Sequence, residues 1–350
     1  MNKSKRILNW ARPEIIALKP YASAREEFVG NEREMILLDA NEIPFDNGVN
    51  RYPDPMQLKV KQRIAEAKKL TVDQIFLSNG SDELFNHLMI TFCAPQKDKV
   101  IILPPTFGMY QVCADINGVG VIKVPLTKDF HLDTPAILDA QSKSTKMIFI
   151  PTPNNPTGNC FSPEKLKTIV EGFDGLVVID EAYIEFTATS STTTWLEEYE
   201  NLVVVQTFSK AQGMAGARLG MAFAHPEIIA LLNKVKAPYN INVLTQDVVL
   251  KRLEEQGIVR QQVYQIQREK ERLLIEFNTL SYIKTIYPSD ANFILIRVDD
   301  SAQRYAQLIE RGIVVRNPSN NHNCANTLRI TVGTPEENNA LISALRTMDN

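Results

Sequence analysis

Seven short apolar runs separated by helical-looking stretches constrain this chain more than any other feature. They lie at 75–77, 100–103, 119–124, 147–150, 176–179, 202–205 and 219–223. Several, such as MIFI, LVVI and LVVV, carry no polar break. A strand with one face in water alternates, whereas a strand covered on both faces reads as a continuous apolar run, the habit of parallel sheets. One such run alone could be a piece of buried helix. Their number, and their alternation with helical segments, predict βαβ units and an α/β sheet covered by helices. Ahead of them a helix is expected over 56–70, with Val60, Ile64 and Ala67 inward and its lysines on the other faces. The opening 40 residues read as irregular and polar. After residue 240 the texture changes. A long helical pattern over 245–280 precedes strand patterns at 283–286, 293–298 and 328–332, with helical stretches at 301–311 and 335–347. This predicts a smaller α+β unit.

Composition excludes several classes. The 350 residues carry a net charge of -3, so no basic surplus points to nucleic acid or an anionic membrane. Binding of anions must therefore come from a local site. Cys93, Cys113, Cys160 and Cys324 are scattered and form no CxxC pair, which leaves zinc ribbons and thioredoxin-like motifs unsupported. No metal site is expected. No apolar run approaches a membrane span, and the first residues, MNKSKRILNW, lack the apolar core of a signal peptide, so the expected location is the cytoplasm.

In open α/β sheets, ligands sit beyond the carboxyl ends of the strands. The residues just past each run therefore carry the most information about function. After 75–77 comes SNGSDELF, in which Gly80 permits a tight path and Ser81, Asp82 and Glu83 suit a first helical turn. The plain reading is a well-capped helix; the functional one is that the same amides hold a phosphate. After 100–103, Phe107 stands where a strand ends, as core packing or as a ligand contact. After 147–150, PTPNNPTGNC marks a specific turn in which Asn155 offers both donor and acceptor. The 176–179 run ends in Asp180, a carboxylate that is costly there unless paired, for instance with a protonated ring nitrogen or as a cap of the next segment. After 202–205 come Ser209 and Lys210, then Gly213, Gly216 and Arg218. A lysine held among apolar neighbours loses its proton readily and becomes a nucleophile. Taken together, a phosphate-sized anion suits the Gly80 turn, Ser209 and Arg218, a planar ring suits Phe107 and Asp180, and an aldehyde suits Lys210.

On these residues the chain resembles the fold-type-I pyridoxal-phosphate (PLP) enzymes, and among them the histidinol-phosphate aminotransferase branch. The resemblance runs from KPYASA (19–24) and LDANE (38–42) through RYPDP (51–55), PPTFGMY, PNNPTG, DEAYIEF and SKAQGMAGARLG to VVRNPS and LRITVG. It implies the aspartate-aminotransferase fold. That means an N-terminal arm over 1–40, a large domain with a mostly parallel sheet over 41–245, and a small α+β domain over 246–350. It also implies roles. Lys210 would carry the cofactor as a Schiff base and move the proton. Asp180 would pair with the pyridine nitrogen. Asn155 and Tyr183 would bond the ring's 3-oxygen. Phe107 would stack on the ring, at a place where relatives often have Tyr. Ser209, Arg218 and the backbone of Gly80, Ser81 and Asp82 would hold the phosphate. Tyr52 would reach the cofactor phosphate of the other subunit of a homodimer. Tyr21, Arg316 and Arg329 would face substrate, with Arg329 gripping the α-carboxylate of glutamate.

The implied reaction is ping-pong transfer of an amino group between glutamate and imidazole-acetol phosphate, giving 2-oxoglutarate and L-histidinol phosphate, a step of histidine biosynthesis. Two alternatives stand beside it. A sister enzyme, such as threonine-phosphate decarboxylase or an aromatic aminotransferase, would share Lys210, Asp180 and Arg218 and differ toward substrate. A PLP-binding sensor domain would need a DNA-binding region, and the chain shows no helix-turn-helix pattern.

Overall fold

The structure, a computed structural model, describes residues 3–21 and 36–349. All seven apolar runs form strands: β1 Ile75–Ser78, β2 Lys99–Ile102, β3 Gly120–Lys123, β4 Thr145–Pro151, β5 Leu176–Asp180, β6 Leu202–Thr207 and β7 Gly220–Ala224. They form one sheet in the order β1-β7-β6-β5-β4-β2-β3. β4 runs parallel to β2 and to β5, while β7 is antiparallel to β1 and β6. β5 and β6 are buried at every residue, which is why their sequence does not alternate.

The helices are α1 Lys3–Trp10, α2 Pro13–Ala17, α3 Leu58–Lys68, α4 Ser81–Phe92, α5 Met109–Ile116, α6 Thr134–Asp139, α7 Pro163–Gly172, α8 Pro226–Val235, α9 Val243–Glu254, α10 Gln256–Phe277, α11 Ser301–Glu310 and α12 Pro335–Thr347. Two elements depart from expectation. The opening stretch holds the two helices α1 and α2 rather than irregular chain. α2 starts on Pro13, and its last carbonyls receive Lys234 Nζ, at 2.7 Å from Ile16 O. The pattern over 245–280 is two helices, not one. Glu255 N turns back to Arg252 O, and Gln256 Nε2 bonds the same carbonyl. The polar sequence on both sides of the break hides it.

The chain divides into two compact units. One comprises Met1–Asp98, Cys113–Gly120 and Thr192–Gln256; the other comprises Lys99–Val112, Val121–Ser191 and Gly257–Asn350. In the first, α4 and α8 pack together and on β1 and β7. Phe76, Phe85, Leu88, Phe223, Ile228 and Leu232 are buried there. The second contains a three-stranded antiparallel sheet, β10-β9-β8, made of β8 Ile283–Ile286, β9 Phe293–Val298 and β10 Thr327–Thr331. Leu273, Phe277, Leu308, Leu341 and Leu345 from α10, α11 and α12 close over its Ile294, Ile296, Leu328 and Ile330. Each such side chain contributes about 1.5–3 kcal/mol by leaving water.

Helix α3 also departs from expectation. Ala65, not Ala67, joins Val60 and Ile64 inside, and one lysine goes in with them: Lys61 is 2% exposed. Burial, and then the charge of Lys236, pull its pKa down to about 8, against a raising pull from Asp54. Between pH 8 and the ordinary value of 10.5 the unfolded chain therefore binds more protons than the fold, so this lysine makes stability rise with pH across that window. Lys61→Met is expected to stabilise the protein by about 1–3 kcal/mol at pH 7. Urea unfolding of both proteins at pH 7 and near pH 10 checks this. The gap narrows as pH rises, and a gap independent of pH would contradict it.

Candidate active site

In the first unit, β1 ends at Ser78 and the chain turns through Asn79 and Gly80 into α4. Gly80 sits at φ +80°, a left-handed conformation that glycine adopts without penalty. Its amide returns to Ser78 O at 2.9 Å, and Ser78 Oγ donates to Gly80 O at 2.9 Å. The amides that open α4 at Ser81 and Asp82 have no partner a turn earlier, and the helix dipole makes this end receptive to an anion. Arg218 lies beside the turn. A Cβ at Gly80 would overlap its guanidinium, and its Nη2 is 3.8 Å from the Asp82 carboxylate. Gly220 pairs in register with Ser78 on one side and Thr207 on the other. A Cβ there would stand 2.5 Å from Ser81 N, so only glycine lets β7 come this close to the phosphate-type turn.

β6 ends at Thr207, whose Oγ1 accepts Ser209 N at 3.1 Å and donates to Leu219 O at 3.2 Å. Ser209 is thereby tied to the end of the strand that neighbours Gly220. Lys210 follows, and its carbonyl accepts Gly213 N at 2.9 Å. The expectation that apolar neighbours enclose Lys210 does not hold as stated. Phe208 and Ala211 are buried, but the turn leaving β6 carries Lys210 itself to an exposed position. Tyr52 is half-exposed and stacks on Tyr239, with ring centroids 4.4 Å apart and planes 16° from parallel. Glu42 accepts Tyr52 N at 2.6 Å and pairs with Arg51 at 2.7 Å, which orders the RYPDP segment. Tyr239 was not among the sequence candidates; it adjoins Asn240, whose side chain donates to Leu77 O at 2.9 Å. Tyr21 is 74% exposed, and its motif continues from residue 22 outside the described residues.

In the second unit, Asp180 closes β5 and is 5% exposed. Its Oδ2 accepts the Tyr110 hydroxyl at 2.6 Å and its Oδ1 accepts Ala182 N at 3.1 Å. Tyr110, also absent from the candidates, stacks on Phe149 at 4.8 Å and meets the half-buried Phe107 edge-on at 5.7 Å. Tyr183 is buried, and burial pushes its phenol up to about 12; the positive charge of Arg329 opposes this, Asp180 adds to it, and a hydrogen bond with Asn155 opposes it. Tyr183 is therefore a proton donor at neutral pH, not a base.

Asn155 Oδ1 accepts from Arg329 Nη1. The turn that carries Asn155 is locked: Asn154 Nδ2 donates to Pro105 O at 3.0 Å, and Asp290 accepts Cys160 N at 2.8 Å. Arg329 lies over the Phe293 ring at 5.2 Å, and burial lowers its pKa from the ordinary guanidinium value. Its backbone pairs both ways with Arg316, at 2.8 and 3.1 Å. Arg316, Arg329, Tyr305, Asn317 and Thr331 line one cleft. Two guanidiniums in one cleft suit a carboxylate or a phosphate. Among the described residues, no group of three or more His, Cys, Asp or Glu side chains is placed to hold a metal ion.

The family model of the class I and II aminotransferases matches residues 34–345. The chain belongs to this family. A histidinol-phosphate aminotransferase of Christiangramia forsetii is 50% identical over 339 residues, covering 97% of each chain. The crystal structure of the histidinol-phosphate aminotransferase from Clostridium acetobutylicum superposes with a TM-score of 0.78 at 26% identity, over 86% of this chain and 91% of that one. The enzyme of the same name from Sinorhizobium meliloti, in complex with pyridoxal-5'-phosphate, gives a TM-score of 0.78 at 21% identity, over 85% and 83%. This aminotransferase thus shares their fold, and its strand ends carry the side chains described above.

Proposed function

We propose that the chain is a PLP-dependent histidinol-phosphate aminotransferase, interconverting L-histidinol phosphate plus 2-oxoglutarate with imidazole-acetol phosphate plus L-glutamate in histidine biosynthesis. The observation that carries this reading is the full-length identity of 50% with an enzyme of that name. The residues present fit PLP. The Gly80 turn, at φ +80° and with the backbone of Gly220 packed against it, suits a phosphate. The buried Asp180, fed by two hydrogen-bond donors, suits a protonated ring nitrogen.

When bound, the cofactor supplies an electron sink for the charge that develops at the substrate carbon. The rest falls to this chain. The amides of Gly80, Ser81 and Asp82, with Ser209 and Arg218, hold the phosphate. Phe107 stacks on the ring. Asp180 keeps a proton on the ring nitrogen, and Tyr183 Oη and Asn155 Nδ2 donate to the 3-oxygen. Lys210 Nζ holds the cofactor between turnovers and then carries the proton to and from the substrate carbon. Arg329 grips the α-carboxylate of glutamate. Histidinol phosphate has no such carboxylate, so its phosphate takes Arg316, Arg329 and Tyr21 instead. One cleft with two guanidiniums serves both substrates in turn.

The active unit is a homodimer in which Tyr52 reaches the cofactor phosphate of the other subunit. The exposure of Ile36, Leu38, Ile43 and Phe45, at 89, 85, 67 and 80%, supports a second copy covering this segment. We assign the arm to 1–40, the large domain to 41–245 and the small domain to 246–350, and the protein to the cytoplasm. Among the described residues no helix is long and apolar enough to cross a membrane.

Steady-state assays on the PLP-loaded protein test the substrate assignment. Glutamate formation from L-histidinol phosphate and 2-oxoglutarate is expected to exceed that from aromatic amino acids in kcat/KM. Release of carbon dioxide from phosphothreonine, without transamination of histidinol phosphate, would move the chain to a sister enzyme.

A further inference from the structure

We propose that Tyr110 is a positioning residue for this reaction: its hydroxyl keeps Asp180 ionised and aimed, and its ring edge sets the angle of Phe107. The proposal rests on the reading that Asp180 pairs with the cofactor's ring nitrogen. Asp180 is 5% exposed, and burial penalises a charged carboxylate. Hydrogen bonds to the ionised form offset that penalty. The Tyr110 contact, at 2.6 Å and fully buried, lies in the short range of charge-assisted bonds. The donor is neutral. A lysine or arginine in its place would cancel the carboxylate's charge, whereas a phenol stabilises the charge and leaves it available to a ring nitrogen.

Tyr110 has little freedom to do otherwise. It is 0% exposed and lies in the first turn of α5. Its ring is stacked on Phe149, 13° from parallel. Phe149 belongs to β4 and pairs in register with Val178 of β5, two residues before Asp180. Strand, ring stack and hydroxyl thus form a rigid bracket around the carboxylate. The same ring meets Phe107 edge-on, at 85° between planes. The charge of Asp180 also acts on Tyr183, whose phenol burial pushes up to about 12.

The test is a pH titration of the visible absorption of the lysine-bound cofactor, in wild type, Tyr110→Phe, Asp180→Asn and the double variant, with melting curves alongside. Positive charge on the ring nitrogen opposes a second proton at the nitrogen that joins cofactor and lysine. Weakening Asp180 reduces that charge and raises the midpoint. Asp180→Asn is expected to raise it most. Tyr110→Phe, which keeps the ring and both aromatic contacts, is expected to raise it by a smaller amount, and to add nothing in the double variant. Its kcat is expected to fall roughly 3- to 10-fold, the worth of one hydrogen bond, with KM for histidinol phosphate little changed. A Tyr110→Phe protein that titrates like wild type while Asp180→Asn shifts would overturn the role of Tyr110 and leave that of Asp180 standing. If Asp180→Asn also titrates like wild type, the Asp180 reading fails and the proposal fails with it.

Discussion

Lys210→Ala is expected to abolish useful turnover while leaving the fold intact. The substitution removes the amine that holds the cofactor and the base that moves the proton. Proton transfer by a placed side chain alone is worth about 10²–10⁴-fold, so kcat should fall at least that far. The residue is exposed, in a turn beyond β6, and surface substitutions of this kind change stability by about 0.5 kcal/mol or less. Three readouts should move together. Turnover vanishes, the visible band of the lysine-bound cofactor is lost, and the melting temperature of the cofactor-free protein stays near that of wild type. A small primary amine added to the medium should restore part of the rate, because it supplies the missing base. Wild-type turnover in this variant would remove Lys210 from the chemistry.

Asp180→Asn should be nearly as severe for a different reason. Asparagine keeps the size of the side chain and an oxygen that can accept from Tyr110, so the strand end stays packed. What is lost is the negative charge. Loss of one preorganised electrostatic contact typically costs about 10²–10³-fold in kcat. The variant should still bind the cofactor through Lys210 and the phosphate cradle, so its visible band persists while single-turnover conversion slows. A near-normal rate would take Asp180 out of the ring-nitrogen role.

The fold was legible in the sequence wherever burial was two-sided. β5 and β6 are covered on both faces at every residue, and LVVI and LVVV announce it without an alignment. The small sheet was legible because its core residues recur at strand and helix spacing on short, well-bounded segments. What stayed hidden depends on partners far along the chain. α2 is held by Lys234, more than 200 positions away. Lys61 looks like another solvated lysine of a basic helix, and nothing local says that it lies inside beside Lys236 and Asp54.

The site divides along the same line. Gly80, Asn155, Asp180, Lys210 and Arg218 were found because each stands at or after the end of an apolar run, and strand ends are where such sheets bind ligands. Tyr110 was missed although it stands only three residues after Phe107. Its importance lies in a hydrogen bond to a residue 70 positions on, which no local pattern carries. Tyr239 escaped similarly, since its stack on Tyr52 joins segments far apart in the chain. Arg316 and Arg329 came from the resemblance. Their antiparallel backbone pairing explains how two cations 13 positions apart come to line one cleft.

The most direct measurement is a single half-reaction. The purified, PLP-loaded protein is mixed with L-histidinol phosphate alone, and the visible band of the lysine-bound cofactor is followed, with phosphothreonine and aromatic amino acids run in parallel. Rapid bleaching to the pyridoxamine form, fastest with histidinol phosphate and reversed by 2-oxoglutarate, is the predicted result. Absence of the band in the loaded protein, or bleaching only with another amine, would contradict the account.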